Sequence, residues 1–167
     1  MRESMARLTP TFSTNRVVRQ YTEEHYLSAA AAFRQRAENR GSAGADLVAW
    51  HAELEKHWSA LRFGPTIIEQ RGDEHVCHVQ VFLDDIDPNA VRVELYAEPQ
   101  KDGDPITIAM NRGERVAGPA SVFTYSASVP TSRPIADYTP RLVPQHKAVS
   151  VPLEAPFILW HEAPSWR

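Results

Sequence analysis

Proline is distributed unevenly along this 167-residue chain, and that distribution limits where helices can form. Only Pro10 precedes Pro65, whereas twelve of the thirteen prolines fall from Pro65 onward. Because proline lacks a backbone N–H and clashes with the preceding turn, it is poorly tolerated inside a helix. We therefore predict a division near residue 64, with a helical segment at 1–64 and a β domain at 65–167.

The segment before this division is predicted to form an antiparallel helical hairpin. Ser13 or Thr14 can cap the first helix, which runs without a breaker to Gly41. The second helix is predicted to open near Asp46 and to end where Gly64 is followed by a proline. Its apolar residues follow helical steps and share one face: Leu47, Trp50, Leu54, Trp58 and Leu61.

The second half of the chain changes to a period of two, which is typical of strands with one buried face. Two runs carry the clearest alternation, and their inward residues are predicted to be Cys77, Val79, Val81 and Leu83, then Val91, Val93 and Leu95. Turn residues and further short apolar runs predict additional strands near 66–71, 106–111, 120–129, 138–143 and 156–161. Six or seven short strands without helical crossovers predict an antiparallel β-sandwich of immunoglobulin-like size, and the fold class is therefore α+β.

Composition excludes several classes of function. Eighteen basic residues stand against 21 acidic ones without long runs of one sign, which argues against a nucleic-acid or anionic-membrane partner. The single cysteine, Cys77, cannot form an intrachain disulfide, and no apolar run approaches the length of a membrane span. Because the N-terminus also lacks the apolar stretch of a signal peptide, we expect a cytoplasmic protein.

No residue is assigned to catalysis, to a cofactor or to a metal. His75, Cys77 and His78 are the nearest approach to a metal cluster, but His78 points away from the other two on a strand. The sequence contains no glycine-rich phosphate loop and no G-x-S-x-G motif, and none of its lysines lies in a Schiff-base motif. Neighbouring carboxylates such as Asp84 and Asp85 are interpreted as surface charge.

Aromatic residues are the remaining candidates for binding, since a sugar ring packs its C–H face on an aromatic plane while its hydroxyls stay hydrated. Trp50 and Trp58 are interpreted as core because they lie on the helical stripe. The candidates left are Trp160, Trp166, Tyr96, Tyr125 and Tyr138. We take Trp160, Tyr125 and Tyr138 as the predicted platform, with burial in the core or in an interface as the alternative.

One segment resembles a known family. FSTNRVVRQYTEEHY, from Phe12 to Tyr26, is similar to the closing helix of the catalytic portion of α-glucan phosphorylases, where Phe-Ser-Ser-Asp-Arg opens a helix that ends in an aromatic residue. Thr14 and Asn15 depart conservatively from that pattern, and Tyr26 stands where tryptophan is common. Three stretches resemble the long bacterial branch of the family, which has an extra C-terminal region: the longer RESMARLTPTFSTNRVVRQYTEEHY, and the later RPIADYTPRLVP and VPLEAPFILW.

The resemblance implies that this chain is the non-catalytic C-terminal region of a phosphorylase. The parent enzyme would be a two-lobed glycosyltransferase that uses pyridoxal phosphate to cleave α-1,4-glucans with phosphate, releasing glucose 1-phosphate. Its cofactor and catalytic residues would lie upstream, so none is transferred to this sequence. The implied partners are the catalytic lobes and α-glucan, and self-association is left open.

Two alternative functions belong to other classes of protein. The chain could be a carbohydrate-binding β-sandwich that acts through its aromatic platform, or an interaction domain unrelated to glucans. An exposed aromatic surface would favour the first alternative.

Overall fold

The computed structural model describes residues 13–100, 103–117 and 121–162. The chain forms two compact units that divide between Ala49 and Trp50. The domain boundary near residue 64 stays a prediction. No helix among the described residues combines the length and the apolar character needed to span a bilayer.

The first unit consists of helix. Helix α1, Thr14–Tyr21, runs through a π-helical turn, Thr22–Tyr26, into helix α2, Leu27–His57. The predicted cap is confirmed, because the Ser13 hydroxyl accepts a hydrogen bond of 3.3 Å from the backbone N–H of Arg16.

The break predicted at Gly41 is also present. Backbone dihedrals leave the helical region from Glu38 to Gly41, and Asn39, Arg40 and Gly41 have positive φ angles of 50°, 61° and 79°. The second helical segment was predicted to open near Asp46 and instead resumes directly after Gly41. Left-handed backbone at three successive residues completes the interruption, so no separate loop precedes the second segment.

Within the described part of the second unit, eight antiparallel strands form two four-stranded sheets. The strands are β1 Arg62–Arg71, β2 Glu74–Phe82, β3 Val91–Ala97, β4 Ile106–Ala109, β5 Asn111–Arg115, β6 Val122–Pro130, β7 Tyr138–Pro144 and β8 Leu159–Trp160. The first sheet has the order β1-β2-β6-β5 and the second has the order β4-β3-β7-β8. The α+β class with a two-sheet antiparallel domain is confirmed, with one or two more strands than predicted.

The core contains the residues that the period of two places inward. All seven predicted core positions on β2, β3 and the residue after β2 are buried, with no more than 3% of each side chain exposed. The end of α2 adds Leu54, and the residue before β1 adds Leu61, while Trp50 and Trp58 pack against this core from its edge. Four of the five stripe residues thus contribute to the core or border it.

The prediction that Gly64 and Pro65 end a helix is wrong. Helix α2 ends at His57, a 3-10 turn follows at Trp58–Ala60, and β1 has already begun when the chain reaches Gly64. A Cβ at Gly64 would lie 2.9 Å from a ring carbon of Phe82, so glycine permits a close approach of β1 to β2. The pairing register shifts between Phe63 and Thr66, which places Pro65 in an irregularity of an edge strand, where its missing N–H is tolerated.

The turn after β2 is joined to the end of α2 by one polar contact. Asp84 has a φ of 50°, a left-handed conformation that Asp and Asn adopt more readily than most residues. Its Oδ2 lies 2.9 Å from Nδ1 of His57. This hydrogen bond holds the pKa of the Asp84 carboxyl below its usual value.

Leu54→Ala is expected to lower the free energy of unfolding of the second unit by about 3 kcal/mol, because Leu54 is 1% exposed and its removal leaves a cavity beside the core. The matched control is Leu153→Ala, where the side chain is 84% exposed, and it should change stability by less than about 0.5 kcal/mol. Urea unfolding measures both. An equal loss of stability in the two variants would contradict the burial of Leu54, at the end of α2, in the core.

Asp84→Asn is expected to destabilise the protein at neutral pH and to lose that effect in acid. A carboxyl whose pKa is lowered by folding stabilises the folded state above its unfolded pKa of about 4, and the contribution disappears as the pH falls through the lower folded pKa. Asparagine keeps the tolerance for positive φ, so the comparison isolates the charge. Thermal unfolding measured above and below this pKa tests the prediction. Asp73→Asn, in the exposed turn between β1 and β2, is the control, and its effect on stability should not disappear in acid in this way.

Candidate functional site

The three residues of the predicted platform do not share a surface. Trp160 on β8 is 43% exposed, whereas Tyr125 on β6 and Tyr138 on β7 are 2% and 3% exposed and belong to the core. Trp166 lies outside the described residues. Of the three platform residues, Trp160 alone has exposed surface for a ligand.

The burial of the two tyrosines follows from the same period of two that located the core. Tyr125, Ala127 and Val129 alternate with serines along β6, and all three are buried. On β7, Tyr138 shares its face with Leu142, which is fully buried. Had the alternation been applied to β6 and β7 as well, it would have predicted that Tyr125 and Tyr138 are buried and so cannot share an exposed surface with Trp160.

Trp160 is held by residues of the neighbouring strands. It pairs with Arg141 of β7, and its ring meets the edge of Tyr96 from β3, with centroids 5.3 Å apart and planes at 76°. The guanidinium carbon of Arg141 lies 4.5 Å from the Tyr96 centroid and 5.4 Å from the Trp160 centroid. The indole is therefore in contact with a second aromatic ring and a cation, an arrangement that restricts its rotation.

A buried carboxylate fixes Arg141 in turn. Glu94 on β3 is 2% exposed although it points to the outer face of its sheet, opposite the core residues of the same strand. One of its oxygens accepts hydrogen bonds from Nη2 and Nε of Arg141 at 2.8 and 2.9 Å, and the other accepts one from Nε of Arg92. Two guanidinium partners offset the cost of removing the carboxylate from water.

Trp160 also borders a groove where the edges of the two sheets meet. This β1–β8 groove has a volume of about 490 Å³ and is lined by residues 61–64 and 159–162. Phe63 and Trp160 supply aromatic surface, while Arg62 and Glu162 are exposed and supply one charge of each sign. The groove combines apolar planes with hydrogen-bonding groups, as ligand sites commonly do.

His161 links the two sides of the β1–β8 groove. Its Nε2 lies 3.1 Å from the hydroxyl oxygen of Thr66 on β1, and its ring packs on Phe63 with centroids 5.0 Å apart. Its backbone N–H donates to the carbonyl of Pro140 on β7 at 2.9 Å. These three contacts join the last strand to both sheets and hold the groove in one shape.

A second group of polar residues lies at the same end of the β1–β2 pair as the groove, where Arg62 pairs with Phe82. Ligand atoms of His57, Asp84 and Asp85 lie within 4.8 Å of one another, beside a hollow of about 730 Å³ that Arg62 and Arg115 also line. Both carboxylates are exposed, and the bond from His57 to Asp84 already uses one nitrogen of the imidazole. Sequence reasoning missed this contact because its partners are 27 residues apart.

The histidines and cysteine of β2 do not come together. Cys77 is fully buried, and burial raises the pKa of its thiol to about 11, which makes it a poor nucleophile. His78 lies on the opposite face of the strand, beside Ile67 of β1. His78 therefore points away from Cys77, as the alternation predicted.

Comparison with known proteins places this domain in a family. The family described as glycogen phosphorylase C-terminal domain matches residues 58–162, which is more than half of the chain and contains all eight strands. Maltodextrin phosphorylase of Thermococcus litoralis is 25% identical over 152 residues, and glycogen phosphorylase of Mycobacterium bovis is 26% identical over 156 residues. Glycogen phosphorylase of Mycobacterium tuberculosis gives the same identity over the same length.

The matched region is a small part of each relative. Each alignment covers 87% of this chain but only 18% of the relative, so the chain spans about a fifth of the length of the curated relatives it matches. The resemblance noted from the sequence is confirmed over most of the chain. The chain belongs to the family of glycogen phosphorylase C-terminal domains.

Proposed function

We propose that this chain acts as the non-catalytic C-terminal domain of an α-glucan phosphorylase whose catalytic portion cleaves α-1,4-glucans with phosphate. The observation that carries the proposal is the family match over the whole sandwich, together with relatives that are named glycogen or maltodextrin phosphorylases and are about five times as long. The domain then contributes structure and surface to the enzyme, and the bond-breaking groups belong to the rest of the polypeptide.

Pyridoxal phosphate belongs to that catalytic portion in this proposal. A Schiff-base lysine is desolvated in an enclosed pocket that lowers its pKa. The two described lysines, Lys56 and Lys147, are both exposed, and neither lines a groove described above. The described residues therefore do not fit the cofactor, and no step of the reaction is routed through them.

The first unit supplies a surface suited to docking on the catalytic lobes. Five apolar side chains along its first helical stretch are each more than half exposed: Val18, Tyr21, Tyr26, Leu27 and Phe33. Exposed apolar residues in such density indicate a surface that a partner covers. We assign the catalytic lobes as that partner, because about four-fifths of each relative lies outside the matched region and because residues 12–26 resemble the helix that closes the catalytic portion.

Tyr21→Asp tests this docking when the chain is fused to the catalytic portion of the Thermococcus litoralis relative in place of the region it matches. We expect the fusion to phosphorolyse maltodextrin and Tyr21→Asp to destabilise it by about 2 kcal/mol, since an aromatic ring that the lobes cover would be replaced by a charge. In the isolated chain the same substitution should change little, because Tyr21 is 52% exposed there. Thermal unfolding of both forms measures the difference.

Gln20→Asp is the matched control, because it adds the same charge at an exposed neighbouring position that is turned about 100° from Tyr21 around the helix axis. Equal effects of the two substitutions in the fusion would contradict docking through Tyr21. Concentration-dependent dimerisation of the isolated chain, abolished by Tyr21→Asp, would instead identify a second copy as the partner and overturn the assignment.

A further inference from the structure

We propose that the β1–β8 groove binds a segment of α-1,4-glucan, with Trp160 as the surface on which a glucose ring stacks. The inference rests on the proposed function for the identity of the sugar, and on the geometry of the groove for the existence of the site. It gives the domain a task of its own, which is to hold a glucan chain on the enzyme at a point remote from the bond being cleaved.

The dimensions of the groove suit such a ligand. Its volume of about 490 Å³ lies within the range of roughly 300–1,000 Å³ that is typical of small-molecule sites. The groove is partly open to solvent, so a linear glucan can bind from the side and its end does not have to pass through a closed channel. A polymer segment needs an open groove of this kind, whereas a closed cavity would accept only free sugars.

The stacking surface is held in place before any ligand arrives. Contacts from Tyr96 and Arg141 restrict the Trp160 ring, and the buried carboxylate of Glu94 restricts Arg141. A binding residue whose rotation is already limited loses little conformational entropy when the ligand binds. Trp160 is 43% exposed, which leaves aromatic surface for the apolar face of a sugar ring.

The polar groups of the groove fit a neutral ligand rich in hydroxyl groups. Arg62 can donate hydrogen bonds and Glu162 can accept them, and their charges balance within the groove. The Arg62 guanidinium is itself placed by stacking on the Phe82 ring, 4.3 Å from its centroid. A phosphate or an acidic peptide would meet the Glu162 carboxylate, so the charge pattern favours an uncharged sugar over an anion.

Calorimetry on the isolated chain with maltoheptaose tests the inference. We expect saturable binding in the millimolar range or tighter, weakened about tenfold or more by Trp160→Ala and less by Trp160→Phe, which retains a ring. Arg62→Ala is the second variant, at an exposed position whose loss should leave folding intact while weakening binding severalfold. Migration in glycogen-containing native gels gives an independent readout with the polymer.

Leu153→Ala is the control, since it removes an apolar side chain that is 84% exposed and does not line the groove, and it should leave binding unchanged. Cellohexaose, with β-1,4 linkages, should bind at least about tenfold more weakly than the α-linked sugar. The proposal is overturned by absence of binding at millimolar maltoheptaose, by binding that Trp160→Ala and Arg62→Ala leave unchanged, or by equal binding of cellohexaose. Any of these results leaves docking through Tyr21 standing, because the fusion experiment measures that contact separately.

Discussion

The core between the two sheets determines where the outward side chains around Trp160 lie. Alternate residues of β2 and β3 face inward and exclude water almost completely, and this leaves the intervening residues on the outer faces at fixed spacing. Glu94 faces outward because Val93 and Leu95 face inward. Its position beside Arg141, and that of Arg141 beside Trp160, follow from the strand pairing that the core requires.

Sequence patterns predicted the parts of the fold that follow from simple periodicity. The inward residues of β2 and β3, the Ser13 cap and the break at Gly41 all depend on local spacing, and the structure confirms them. Strand β5 was not separated from its neighbour because Asn111–Arg115 is exposed at every position and carries no apolar alternation. The prediction at Gly64 and Pro65 was wrong because the same two residues can end a helix or lie in an irregular edge strand. Only the close approach of the Phe82 ring to Gly64, which the sequence does not show, distinguishes the two structures.

The site was less predictable than the fold because its contacts cross the chain. Trp160 was named from the sequence as a candidate and is 43% exposed, but its contact Tyr96 and the Glu94 carboxylate that binds Arg141 come from a strand more than 60 residues away, on the far side of β7. Glu94 is the clearest case. In the sequence, an acidic residue at an outward position of a strand predicts solvent exposure. In the structure, the guanidinium groups of Arg92 and Arg141 contact the Glu94 carboxylate and make its burial favourable.

The irregularity at Gly64 and Pro65 has a consequence for association between molecules. An edge strand with free backbone amides is a template on which a strand from another molecule can add, and regular edges are prone to such growth. In β1 the proline offers no amide, the register shift interrupts the ladder, and Glu69 and Arg71 add charged side chains farther along the strand. The edge that borders the groove is thereby unsuited to strand addition from a neighbouring protein and remains accessible to solvent.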